Sequence, residues 1–183
     1  LGINPFDQPD VESTKTMTRR VLAGGADGDA GTAGAAADPG PGKALARFLD
    51  GRRDGDYLAI LAFLPRRPEV EAGLAGLAGR LSSRTGLPVT IGFGPRYLHS
   101  TGQLHKGDGN RGLFLLLTAS RLPEVAIPEV LGIVRPASDF AGLFRAQARG
   151  DAMALREKGR RVLALELAEP VEMRMAALTA ALN

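Results

Sequence analysis

The residues Tyr57-Leu58-Ala59-Ile60-Leu61-Ala62-Phe63-Leu64, closed by Pro65, form a run that is apolar on both of its alternating sides. A strand with one wet face alternates apolar and polar residues, so a run of this kind reads as a central strand of a parallel sheet, covered above and below. Working outward, Pro68 to Arg84 places Val70, Leu74, Leu77 and Leu81 at helical spacing, with Gly86 to terminate it. Pro88 to Phe93 reads as a second strand and Leu113 to Thr118 as a third. Arg161 to Leu167, where Val162, Ala164 and Glu166 alternate with apolar neighbours, reads as a fourth. A helical stretch from Lys43 to Leu49 precedes the first strand, and a polar loop from Gly94 to Gly112 with a short helix joins the second to the third. Ala137 to Gly159 holds one or two helices, and Val171 to Leu182 a terminal one. Strands alternating with helices at these lengths are βαβ units, which predicts an α/β fold: a mostly parallel sheet flanked by helices in three layers. Ligands of such sheets collect outside the carboxyl ends of the strands, which directs attention to the loops beginning at Pro65, Gly94 and Ala119.

Ahead of this unit the chain changes character twice. Pro9 to Leu22 is a helical pattern: Pro9 suits a first helical position, Asp10 and Glu12 favour the positive end of the dipole, and Arg19-Arg20 lie near the other end. From Ala23 to Gly42 the residues are almost all Gly, Ala, Asp and Pro, a composition that cannot bury enough apolar surface to offset ordering entropy and so predicts a flexible linker. The expected organisation is residues 1–22 as the end of an upstream unit, 23–42 as linker, and 43–183 as a carboxy-terminal α/β domain. The opening Leu1-Gly2-Ile3, running into Asn4-Pro5, reads as the end of a strand that begins upstream, so the chain is expected to belong to a longer polypeptide.

The 183 residues are 44% hydrophobic, enough for one α/β core. No apolar run approaches the roughly 18 residues of a membrane helix, and the amino-terminal stretch has no signal-peptide pattern, so a cytoplasmic location is expected. Without cysteine there is no disulfide or thiolate chemistry; two histidines and no clustered carboxylates argue against a protein-built metal site. The formal charge of +3 comes from 23 Lys and Arg spread along the chain and offset by 20 Asp and Glu. Nucleic-acid binders concentrate basic residues with aromatics on one element, so neither a nucleic-acid nor a membrane partner is expected. A basic balance suits an anionic small molecule such as a sugar phosphate.

Two stretches carry candidate chemistry. In Asn4-Pro5-Phe6-Asp7-Gln8-Pro9-Asp10-Val11-Glu12-Ser13-Thr14-Lys15 a turn leads into a helix whose free amides suit an anion, with Glu12 and Lys15 spaced to pair on one face. Read blandly, it is a capped surface helix with an ordinary lysine. In Gly92-Phe93-Gly94-Pro95-Arg96-Tyr97-Leu98-His99-Ser100-Thr101-Gly102-Gln103-Leu104-His105-Lys106-Gly107 both histidines follow a strand, beside Arg96, Ser100, Gln103 and Lys106. An imidazole passes protons near neutrality, and Arg and Lys balance phosphate charge. On that chemistry His99 is a candidate catalytic group, and Arg96, Ser100 and Gln103 are candidate substrate contacts. The bland alternative is a polar loop in which His99 bonds locally.

The string Phe6-Asp7-Gln8, Val11-Glu12, Lys15 resembles the phosphoglucose isomerase signature F-D-Q-x-G-V-E-x-x-K, with Asp10 where the family has glycine. The segment from Gly94 to Gly107 resembles a stretch of fusions between transaldolase and that isomerase. Leu113 to Thr118 and Phe140 to Leu167 are similar to the tail of the same fusions. The resemblance implies interconversion of glucose 6-phosphate and fructose 6-phosphate in carbohydrate metabolism, at the junction of glycolysis and gluconeogenesis. It also implies that Lys15 is a catalytic lysine that helps open the sugar ring, and that Gln8 contacts the substrate. The carboxylate of Asp10 favours the helix but would repel a phosphate placed in its first turn. The family's ring-opening histidine precedes the lysine helix, so His99 stands on its chemistry and not on the signature.

By the same resemblance, residues 1–22 end an upstream sugar-isomerase domain. The implied partners are the sugar phosphate and the upstream isomerase and transaldolase domains, with a homo-oligomer possible. The enediol step needs a base, which the family draws from a glutamate upstream of the lysine helix; here Glu12, Glu69, Glu71 and Glu124 qualify by residue type only. The chain alone is therefore expected to be inactive, and the chemistry calls for neither an organic cofactor nor a metal. The rival reading is a non-catalytic module that binds a sugar phosphate or another domain of a larger enzyme. A transaldolase activity fits less well, because its Schiff-base lysine belongs on a barrel strand and Lys15 is placed on a helix.

Overall fold

The computed structural model describes residues 9–24, 40–128 and 139–182. Four strands, β1 (Tyr57–Phe63), β2 (Val89–Phe93), β3 (Gly112–Ala119) and β4 (Arg161–Leu167), form one sheet in the order β2-β1-β3-β4, and every pairing is parallel. The apolar run is the inner strand expected of it. Leu58, Ile60, Ala62 and Leu64 point into one core while Ala59, Leu61 and Phe63 point into the other, and β3 divides its leucines and Phe114 in the same way. The alternation of a strand thus feeds two cores from one apolar sequence.

Helices cover both faces, which makes the protein a three-layer α/β fold. Connections of parallel strands are right-handed, so crossovers running in opposite directions along the sheet lie on opposite faces. The step from β1 to β2 carries α3 (Pro68–Thr85), which shares its face with α2 (Pro41–Asp50) and α6 (Val171–Ala180). The steps from β2 to β3 and from β3 to β4 run the other way. They carry a 3-10 turn (Arg96–His99), α4 (Gly102–Gly107) and α5 (Phe140–Glu157) on the second face. The region expected to hold one or two helices contains α5 as a single uninterrupted helix, capped by Asp139, whose carboxylate accepts from the Gly142 amide at 2.6 Å.

The amino-terminal helix α1 (Pro9–Leu22) packs against α5 and α4, turning Val11, Thr14, Met17 and Thr18 inward. Pro41 and Gly42, assigned to the linker by composition, form the first turn of α2, where the fixed φ of proline suits a helix start. Most of the expected linker, residues 25–39, lies outside the described residues.

Candidate functional site

The spacing of α1 puts Val11, Thr14, Lys15, Thr18, Arg19 and Leu22 along one side of the helix. That side borders a cleft of about 350 Å³, whose far wall is Leu98 and His99 from the 3-10 turn together with Leu143 and Gln147 of α5. Lys15 and His99, read from two separate motifs, therefore face a common space. Lys15 and Arg19 bring two cationic side chains to this lining, which among the described residues contains no carboxylate; Thr14, Thr18 and Gln147 add neutral polar groups.

The Lys15 ammonium donates to Glu12 at 2.6 Å in a pair open to solvent. That hydrogen bond, with the charge behind it, holds the Glu12 carboxyl below its usual range. A pair this exposed breaks readily when a competing anion arrives.

What fixes His99 lies underneath it. Tyr97 and Leu98 are buried, and the Tyr97 hydroxyl donates to Asp151 of α5 at 2.5 Å. The same carboxylate receives the Lys106 ammonium of α4 at 2.6 Å, where both side chains are almost fully withdrawn from solvent. Burial, then the neighbouring Asp151 charge, pushes the Tyr97 phenol well above its ordinary value, so it remains a donor. The preceding residue does a comparable task for α1. A Cβ on Gly150 would stand 2.5 Å from Thr18 Oγ1 and 2.8 Å from the Thr18 backbone nitrogen, so the two helices touch through a missing side chain. Gly150 and Asp151 thus seat the lysine helix and the histidine turn on one point of α5.

The remaining expected contacts are not brought together. Arg96 and Ser100 are exposed on the turn, with Ser100 Oγ donating to the Tyr97 carbonyl at 3.2 Å, and Gln103 is half-buried on α4; none of the three lines the Lys15 cleft. Gln8 lies outside the described residues. His105, the second histidine, is buried with its ring centroid 5.1 Å from that of Phe114, 5.9 Å from Tyr97 and 6.5 Å from Tyr57. Burial lowers its pKa to about 4, which keeps the imidazole neutral and makes it a packing group.

Of the four glutamates considered for the enediol step, only Glu12 touches this region, through its bond to Lys15. Glu69 and Glu71 lie in the first turn of α3, across the sheet, and Glu124 is exposed in the loop after β3. Among the described residues no group of three or more His, Cys, Asp or Glu could hold a metal ion, and no helix is long and apolar enough to cross a membrane.

Sequence reasoning missed Arg19, Gly150 and Asp151. For the last two a local signal existed: a glycine followed by an aspartate, both poor helix formers, in the middle of an otherwise helical stretch.

The architecture is that of a parallel α/β domain with an additional helix docked on one face and a cation-bearing cleft beside that contact. A solved structure of the same shape is the crystal structure of a hypothetical protein, TT0462, from Thermus thermophilus, with a TM-score of 0.64 and 21% sequence identity. The likeness covers 92% of this chain and 43% of that chain, so this chain spans less than half the length of the Thermus protein. At that identity the similarity concerns the fold. No protein-family model and no curated protein matches the chain.

Proposed function

We propose that the chain supplies ring-opening groups to a glucose-6-phosphate isomerase, as the carboxy-terminal part of a polypeptide of the transaldolase-fusion kind. The observation that carries this reading is the shared cleft of Lys15 and His99. Opening a cyclic sugar phosphate moves one proton onto the ring oxygen and another off the anomeric hydroxyl, so two proton-handling groups must face one small space. In this reading the His99 imidazole takes the proton of the anomeric hydroxyl while the Lys15 ammonium gives one to the ring oxygen as its bond to the anomeric carbon breaks, so both transfers have a partner. Arg19, one turn beyond Lys15 on the same side, offers the phosphate a guanidinium.

By the resemblance, the enediol base comes from the isomerase domain upstream of the lysine helix. The chain by itself is then a binding and ring-opening half, with the upstream isomerase domain as its partner.

The test uses the complete enzyme, comparing Lys15→Ala and His99→Ala on cyclic fructose 6-phosphate and on a substrate already in open-chain form. A ring-opening role predicts a fall in turnover on the cyclic form of about 100-fold or more, with a much smaller loss on the open form. Equal losses on both forms would refute ring opening. No loss on either would favour the rival reading of a non-catalytic sugar-phosphate or interaction module.

A further inference from the structure

A second cleft, of about 380 Å³, opens at the carboxyl ends of β3 and β4, between the last turn of α1 and α5. It exists because the facing residues are small: Ala146 and Ala152 of α5 and Ala164 of β4 end at Cβ, so the helix cannot fill the space above Leu116. The floor is apolar and the rim is not. Arg145 and Arg149, four apart and hence on one side of α5, stand at the edge opposite Thr118 and Glu166 from the strand ends. Both arginines and Glu166 are exposed, and none of the three side chains is engaged in a hydrogen bond or ion pair among the described residues.

Two like charges at this spacing repel each other, with no acidic residue on α5 between them to relieve it. A doubly charged anion seated between the guanidiniums would remove that repulsion, and guanidinium geometry favours phosphate. The volume is within the range of small-molecule sites, and the cleft opens beside the carboxyl ends of β3 and β4. A free inorganic ion or a bare sugar phosphate would leave the alanine floor unused, since neither has an apolar body to lay on it.

We propose that this cleft binds a small organic phosphate of the mononucleotide class. Its phosphate lies between Arg145 and Arg149, and its flat, weakly polar body rests over Ala146, Ala152 and Ala164. Glu166 accepts hydrogen bonds from hydroxyl or amino groups at the rim. The site is separate from the isomerase reading, because neither Lys15 nor His99 lines it.

The experiment titrates the chain with adenosine monophosphate, adenosine and inorganic phosphate in turn, by calorimetry and by following backbone amide resonances. The expected result is saturable binding of the monophosphate with Kd below about 1 mM, and binding at least about tenfold weaker for each of its two parts. The shifts should centre on Gly142 to Arg149 and Glu166. Arg145→Ala with Arg149→Ala should weaken the monophosphate at least about tenfold, whereas Arg47→Ala, an exposed arginine on the opposite face of the sheet, should not change it. Both cleft arginines are exposed, and circular dichroism checks that the double variant folds; if it does not, Arg149→Gln alone replaces it. Absence of binding at about 10 mM, equal binding of inorganic phosphate, or undiminished binding by the arginine variants would each overturn the proposal. None of these outcomes bears on the ring-opening test, which is read from turnover on two substrate forms.

Discussion

The Lys106 ammonium lies 2.6 Å from the Asp151 carboxylate, with the two side chains 2% and 0% exposed. Their partner Tyr97 completes the carboxylate at 2.5 Å, so three elements, the 3-10 turn, α4 and α5, meet at one buried charge. Removing one member of a buried pair strands the other without solvent, and the cost exceeds that of removing both. Asp151→Ala is therefore expected to destabilise the protein by about 3 to 5 kcal/mol. Asp151→Leu combined with Lys106→Met should lose less than the sum of the single changes. Urea unfolding midpoints of the two singles and the double give the coupling directly. Additive losses would show that the pair does not act as a unit.

Acid sensitivity should trace in part to His105. Its folded pKa of about 4 lies below the ordinary 6.5, because burial among Tyr57, Tyr97 and Phe114 disfavours the imidazolium; the Asp151 and Asp108 charges oppose that effect and Lys106 adds to it. The unfolded chain binds this proton more readily than the folded one. The stabilisation is thus complete above about 6.5 and is lost as the pH falls through about 4, by an amount on the order of 3 kcal/mol. Unfolding free energy measured between about pH 7.5 and pH 4 should fall in the wild type and fall distinctly less in His105→Phe, which keeps an aromatic ring in the cage. Parallel curves for the two proteins would contradict this account.

Gly150→Ala tests how α1 is held. In an exposed helix interior the change would stabilise by about 1 kcal/mol. Here the new methyl would meet the Thr18 side chain and backbone, and backbone cannot rotate away as a flexible side chain does. The expected result is a net loss of about 1 to 3 kcal/mol, with hydrogen exchange of the α1 amides accelerated while β1 and β3 stay protected. Unchanged exchange in α1 would mean that the helices do not depend on this close approach.

The fold was legible because its decisive signals are local. The two-sided apolar run of β1, the helical spacing of Val70, Leu74, Leu77 and Leu81, and Gly86 in the left-handed conformation at the end of α3 each fix an element without reference to the rest. The order β2-β1-β3-β4 is carried by no single segment, because β1 and β3 are both apolar on two sides and handedness sets only the face that each crossover takes. Of the candidate site, the sequence offers the exposed members and hides their supports. Lys15 and His99 stand out by residue type, whereas Asp151 and Lys106 become a pair only when α4 and α5 are brought together across 45 positions. Among the polar groups of the His99 loop, sequence could not tell which side of the turn each would occupy. The 3-10 geometry aims Tyr97 and Leu98 inward and leaves Arg96 and Ser100 outside, while His105 is drawn into the aromatic cage.

The last prediction separates binding from chemistry within the Lys15 cleft. Arg19 lines that cleft one helical turn beyond Lys15, whereas its neighbour Arg20, equally basic and also exposed, does not. If the cleft takes a phosphorylated sugar, Arg19 acts on the phosphate, which keeps its charge throughout ring opening. Its contribution is then the same in the ground state and the transition state. An interaction of that kind lowers KM and leaves kcat alone. In the complete enzyme, Arg19→Ala should raise KM for fructose 6-phosphate about tenfold with kcat changed less than about twofold, and Arg19→Lys should recover part of the loss. Arg20→Ala removes the same formal charge from the same helix and should alter neither constant. The pair thus controls for a general electrostatic effect, which at physiological ionic strength decays over about 8 Å. Equal KM increases in Arg19→Ala and Arg20→Ala would reduce the effect to net charge, and a fall in kcat confined to Arg19→Ala would move Arg19 from the phosphate to the reacting end of the sugar.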